Sequence, residues 1–211
     1  MSSQPSQRSV KISADERTGW SSDRPRRDGA ARPANLFVHC RVLAPSERLR
    51  YSPGSLLVVA CASEDERDGF LARVIEDRAA VLSLAKVRGL LSGRVAQEEL
   101  DERAQQLLEA AARKRLSSRQ TVVLGPDGLA PAEREPFVRI AAELGRPRHL
   151  ILLETSRERV REQDASALNE LRRALDAGEL GAEGFQTALR LGGGSAADVK
   201  RILFRSLPRE D

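Results

Sequence analysis

Alternation is the feature that most narrows what this chain can fold into. Short apolar runs recur at Leu56–Ala60, Ala79–Leu82, Thr121–Leu124, Leu150–Leu153 and Val199–Phe204, separated by longer segments with helical spacing. Short, near-continuous runs bounded by polar or Gly/Pro residues read as strands buried on both faces. From Gln97 to Leu116 a stripe of Leu100, Ala104, Leu107, Leu108 and Ala111 marks an amphipathic helix. From Pro131 to Leu144 a second stripe runs through Phe137, Ile140, Ala141 and Leu144. Pro131 suits the first helical position, Glu133 and Glu135 suit the first turn, and Gly145 can stop the helix. Thr155 and Glu158 have the spacing of a capping box for the next helix. The predicted class is α/β, a mostly parallel sheet flanked by helices. Ligands of such sheets bind at the carboxyl ends of the strands.

Composition bounds the remainder. A chain of 211 residues suffices for one sizeable domain with appendages. No apolar run approaches the roughly 20 residues that span a bilayer, and no apolar leader follows Met1. The expectation is a cytoplasmic protein with no membrane partner. Cys40 and Cys61 make no disulfide framework, and Cys61 reads as a buried thiol at a strand end. With only His39 and His149 besides, no metal-ligand cluster is expected.

Residues 1–34 are rich in Ser, Arg, Asp and Pro and show no apolar period, which predicts a disordered basic arm. It carries seven basic residues against four acidic ones. Residues 35–54 read as a linker with an edge strand within Asn35–Leu43 and a turn at Ser52-Pro53-Gly54. Residues 55–206 form the α/β domain, and 207–211 a short tail.

The first strand end carries an unusual message. Leu56–Ala60 is followed by Glu64-Asp65-Glu66-Arg67-Asp68, with a helix expected from Phe70 onward. The acidic run reads as a solvated loop in which Asp65 or Asp68 caps the helix. Arg88, Arg94, Arg113, Arg172, Arg173 and Arg190 are candidates for a nucleic-acid groove, Arg67, Arg88, Arg172 and Arg173 for phosphate contacts in particular. Acidic residues are interleaved among them and aromatics make up only 3%, which favours solvated helix faces. Gly192-Gly193-Gly194 reads as a flexible connection, since no strand is expected before it.

The order of elements resembles the small P-loop kinases that include the bacterial polynucleotide kinase domain and zeta-toxin-like kinases. "LLVVACASEDERDGFLARV" is similar in place to their first strand, Walker A loop and first helix; "AAVLSLAKVRGLLSG" to the second strand and its helix. "RQTVVLGPDG" resembles the third strand, and "HLILLETSRERVREQ" the fourth strand with the start of the lid helices. "DVKRILFRS" is similar to the terminal strand. The resemblance implies a P-loop NTPase-like fold with ATP and Mg²⁺ as cofactors.

Departures from the family's pattern fall on the chemistry. Ala62, Asp65 and Arg67 stand at the three glycines, with Ser63 inside the loop, and Asp68 stands at the phosphate-gripping lysine. Gly69-Phe70 replace the hydroxyl pair that holds the metal, and Ala85 stands at the catalytic aspartate. The strand-end acid corresponds to Leu124, with Asp127 close by, and the lid arginine to Glu162. Glycines let backbone amides wrap a phosphate, and the lysine offsets its charge. Four carboxylates crowd the loop instead, and two like charges about 4 Å apart repel by roughly 4 kcal/mol at an effective dielectric of 20. The expectation is a degenerate, non-catalytic kinase-like domain that needs no cofactor and binds a protein or a nucleic acid. The alternatives are an active ATP-dependent kinase of polynucleotides or small molecules with an atypical phosphate loop, and a structural domain of a larger system.

Overall fold

The computed structural model describes residue 36 and residues 38–205. The predicted arm and tail lie outside the described residues.

Six strands form one parallel sheet: β1 (Arg41–Leu43), β3 (Leu56–Cys61), β4 (Val81–Ser83), β5 (Val122–Gly125), β6 (Arg148–Leu153) and β7 (Thr187–Leu191). Their spatial order is β4-β5-β3-β6-β7-β1, and every pairing is parallel. The predicted α/β class with a mostly parallel sheet is the one observed. All residues of β3, β5 and β6 are buried, as their continuous apolar runs require. Each wholly buried Leu or Val is worth about 1.5–3 kcal/mol over its exposed state.

Alternate residues of β3 face two different cores. Leu56, Val58 and Ala60 pack with Leu108, Leu116, Phe137, Leu168 and Leu171. These come from α3 (Leu100–Ser117), α4 (Pro131–Glu143) and α5 (Glu162–Asp176). Leu57, Val59 and Cys61 face the other way, toward Phe70, Leu71 and Val74 of α1 (Glu64–Val74).

Beside α1 on that second face lies a parallel ribbon of two strands, β2 (Arg48–Tyr51) and β8 (Arg201–Phe204). Its inner residues Leu49, Tyr51 and Ile202 join the second core, with Phe204 packed against it. Tyr51 stacks on His149 of β6 at 4.6 Å between ring centroids. His149 Nδ1 lies 2.8 Å from Thr187 Oγ1, while its Nε2 and the Tyr51 hydroxyl have no protein partner. Burial, with the Arg148 charge adding to it, lowers the His149 pKa to about 4.

The structure corrects several expectations. Ala79–Leu82 is not one strand: Arg78–Ala80 is a 3₁₀ turn capped by Asp77, and only Val81 onward is extended. Val199–Phe204 does not end the main sheet, because β8 pairs only with β2 in the ribbon. The sheet position beside β6 belongs to β7, so a strand does precede Gly192-Gly193-Gly194, and the short helix α6 (Gly194–Asp198) comes after it. Thr155 and Glu158 form no capping box, for α5 starts at Glu162 with Arg161 before it. The Thr155 hydroxyl lies instead 3.2 Å from Cys61 Sγ. One glycine is sterically required near the β1 edge. A Cβ on Gly181 would come within 2.0 Å of the Val38 carbonyl oxygen, far inside any contact distance.

Candidate functional site

The chain leaves β3 for α1 on one face of the sheet and β5 for α4 on the other. Between those two exits, at the carboxyl ends of neighbouring strands, an open α/β sheet forms its ligand crevice. The candidate site is therefore the set of groups at the ends of β3, β4 and β5.

Only Ala62 and Ser63 separate β3 from α1. Ser63 is the N-cap, its hydroxyl accepting from the Glu66 amide at 3.4 Å. Glu64, Asp65 and Glu66 occupy the first turn, where carboxylates complement the helix dipole. The predicted acidic loop is thus helix, and neither Asp65 nor Asp68 caps it. A local signal marks this start: Ser63-x-x-Glu66 is itself the sequence of a capping box. Glu66 spends its carboxylate elsewhere, on Arg159 at 2.8 Å.

One helical turn into α1, the Arg67 side chain is wholly buried. It lies across the end of β5, so that a Cβ built on Gly125 would sit 2.7 Å from Arg67 Nε. Its guanidinium donates to the Pro126 carbonyl, and its Nε lies 3.1 Å from Asp68 Oδ1. The other terminal nitrogen has no protein partner. Gly69 is open to its surroundings, and Phe70 is buried in the second core.

Across the crevice, α2 (Leu84–Leu91) follows β4, capped by Ser83, and carries Ala85 exposed on its first turn. Arg88 of α2 holds Asp101 at 2.7 Å and also bonds Asp127. The remaining Asp127 oxygen is buried without a partner. In the sequence Asp127 stands out only as a neighbour of the strand end. The structure brings it together with Arg67, Arg88 and Pro126.

A second cleft, of about 500 Å³, opens at the ends of β6 and β7 against α1. Phe70, Arg73, Leu153, Glu154 and Thr155 line it. Burial alone would raise the Glu154 pKa. Hydrogen bonds and charge from Arg172 and Arg190 outweigh it and hold the carboxyl below its usual range.

The arginines expected to meet phosphate are therefore engaged. Arg67 is buried, Arg88 bridges two aspartates, Arg172 and Arg190 share Glu154, and Arg173 pairs with Glu179 at 2.9 Å. Arg113 pairs with Glu143 at 3.0 Å. Glu162, at the predicted lid position, is the exposed first residue of α5. Cys40 and Cys61 are buried free thiols, and burial pushes both pKa values up. Among the described residues no His/Cys/Asp/Glu group could hold a metal ion, and no helix is long and apolar enough to cross a membrane.

No curated protein matches the chain. A domain family described as "AAA domain", of the P-loop NTPase-like kinase kind, matches residues 68–175. That span runs from the second turn of α1 to the last turn of α5, takes in the β4, β5 and β6 strand ends, and covers just over half the sequence. With its parallel α/β sheet and a crevice at the strand ends, the chain belongs to this family of P-loop kinase-like AAA domains.

Proposed function

We propose that this is a degenerate kinase-like domain that neither binds Mg-ATP tightly nor transfers phosphate, and that it works as a binding module. The observation that carries the reading is Arg67. Its guanidinium fills the end of β5 where a bound polyphosphate would approach the sheet. The connection before it is two residues long, too short to wrap a phosphate in backbone amides.

Other groups agree with it. Four carboxylates lie between positions 64 and 68, and neither Gly69 nor Phe70 offers a hydroxyl for Mg²⁺. Ala85 offers no base. Ser63 has a hydroxyl, but it caps α1. The residues present do not suit Mg-ATP held at a phosphate loop, so no phosphoryl-transfer step is assigned to them. The likeness to polynucleotide and zeta-toxin-like kinases supports an ancestry in catalysis that this crevice no longer serves.

Calorimetry with Mg-ATP on the full chain tests this. The expected affinity is no tighter than about millimolar, with no phosphate transferred to oligonucleotide or small-molecule acceptors. Asp68→Lys alone is expected to restore nothing, because the buried Arg67 and the short connection remain. Micromolar binding by the unmodified protein overturns the reading in favour of an active kinase of atypical design.

A further inference from the structure

We propose that the outer face of the β2–β8 ribbon is a docking surface for the phosphate backbone of a nucleic acid. It lies apart from the strand-end crevice, so the inference holds whether or not that crevice takes a nucleotide.

The ribbon's two faces differ completely. Along β2 burial alternates strictly, with Leu49 and Tyr51 inside and Arg48 and Arg50 exposed. On β8, Ile202 is inside and Arg201 exposed. The parallel register places Arg48 opposite Arg201 and Arg50 opposite Leu203. Arg205 continues the chain past the last pair, exposed, its amide bonded to the Tyr51 carbonyl at 3.1 Å. The outer face therefore presents Arg48, Arg50, Arg201 and Arg205 around a half-buried Leu203.

Arg201 pairs with Glu76 at 2.9 Å, and the adjacent Lys200 with Glu47 at 3.2 Å. Among the described residues no carboxylate lies within ion-pair distance of Arg48, Arg50 or Arg205. Elsewhere Arg67, Arg88, Arg134, Arg172 and Arg190 each meet an acid, and Arg73, Arg146 and Arg148 bond backbone carbonyls. Arg94 also lacks a carboxylate, but it stands alone, whereas Arg48 and Arg50 share one face of one strand. Like charges directly opposite on paired strands are destabilising. The ribbon sustains Arg48 against Arg201 with a single carboxylate, Glu76, bonded to Arg201 alone, an arrangement that an external polyanion would relieve.

The chemistry of the face selects the partner. Guanidinium groups bond phosphate oxygens in a planar, two-pronged geometry. Arg48 and Arg50, two residues apart on one strand, stand about 6.6 Å apart, the scale on which phosphates repeat along a nucleic-acid strand. Exposed aromatics for base stacking are absent from the described face, which points to backbone binding without sequence preference. A membrane surface would call for apolar side chains to insert, and Leu203 is half-buried. Beside the ribbon runs a groove of about 560 Å³ lined by Phe204, Arg205, Arg115, Gln120 and Thr121. Its acids, Glu76 and Asp77, are each held by an arginine, Arg201 and Arg115.

Fluorescence polarisation of labelled short duplexes, one DNA and one RNA, tests this with the full chain. Both should bind at low salt, with a logarithmic salt slope that falls by about 2 in Arg48→Glu/Arg50→Glu, one unit per lost phosphate contact. The double variant should lose at least tenfold in affinity with an unchanged melting temperature. Arg48→Ala/Arg50→Ala should lose less. Lys86→Glu/Arg103→Glu, the same change in net charge on α2 and α3, should lose under threefold. No binding by the unmodified protein, equal loss in the α2–α3 control, or capture of anionic vesicles in place of either duplex overturns the proposal.

Discussion

The crevice at the strand ends and the outer face of the ribbon both depend on arginine, in opposite ways. In the crevice Arg67 is buried and Arg88 is divided between Asp101 and Asp127. On the ribbon Arg48 and Arg50 are exposed, and among the described residues no carboxylate is within ion-pair distance of either, the neighbouring Glu47 being paired with Lys200. The crevice arginines are internal groups whose charge the protein has to satisfy itself. The ribbon arginines are left for something outside. A strand-end position in this fold class invites a functional reading, yet here the more available charge lies on a strand pair the fold class does not require.

The largest effect should come from reversing the buried charge. Arg67→Glu would place a carboxylate beside Asp68 with the Pro126 carbonyl facing it. Its expected cost is about 3–5 kcal/mol, the range for an uncompensated buried charge. Arg67→Met keeps much of the volume and removes the orphaned nitrogen, so its cost should stay within the roughly 1–3 kcal/mol of one unsatisfied carbonyl. Denaturant midpoints at unchanged m-value read both. Equal losses would mean that the positive charge, and not the filled space, is what the crevice requires.

Beneath the ribbon the next effect depends on pH. His149 titrates at about 4 in the folded protein, below an ordinary value of 6.5. Between those values the unfolded chain binds a proton that the folded one refuses. Stability is therefore full above about pH 6.5 and falls as pH drops, by about 3 kcal/mol near pH 4. His149→Asn can keep a bond to Thr187 without titrating, and should flatten that part of the pH–stability curve. A slope that survives the substitution would assign the acid sensitivity to the carboxylates of the crevice and its neighbours.

The strands of the core are legible in the sequence because their chemistry is local. Leu56–Cys61 and His149–Leu153 are apolar nearly throughout and could hardly be anything but buried strands. β7 is not legible, because Arg190 interrupts its apolar run and points to Glu154 at the sheet's end. Of the ribbon, β8 is legible within Val199–Phe204, but β2 is not, for a different reason. "RLRY" is a plain alternation, and its partner lies about 150 positions away, so only tertiary pairing makes it a strand. At the site, the substitutions at Asp68, Phe70 and Ala85 can be read directly. That Glu64–Asp68 is helical, and that Arg67 turns inward onto Gly125, cannot, since burial of a charged side chain depends on what β5 presents to it.

Gly125 offers a smaller test of the crevice. Gly125→Ala would push a methyl to 2.7 Å from Arg67 Nε and 3.1 Å from its Cδ. The guanidinium is tied to Pro126 and Asp68, so it cannot simply swing aside. A loss of about 1–3 kcal/mol is expected, as for overpacking elsewhere. Combined with Arg67→Met, whose chain is unbranched and flexible, the loss should shrink by about 0.5 kcal/mol or more, the coupling expected of residues in contact. Strict additivity would show that Arg67 does not rest on Gly125 in solution.

The smallest effect sits on the ribbon and has the opposite sign. Arg48→Glu replaces a like-charge pair opposite Arg201 with an attractive one. Cross-strand ion pairs of this kind contribute roughly 0.2–1 kcal/mol, and at an exposed position the low end applies. The variant should therefore be as stable as the unmodified protein or slightly more so, with the gain fading as salt rises. The same substitution should weaken nucleic-acid binding. Gain in one property with loss in the other is what separates a docking arginine from a structural one: a residue that costs the fold a little stability has its use outside it. Thermal melts at low and high salt would decide the matter. A clear destabilisation by Arg48→Glu at low salt would mean that Arg48 holds the ribbon together, and the contrast with the crevice would disappear.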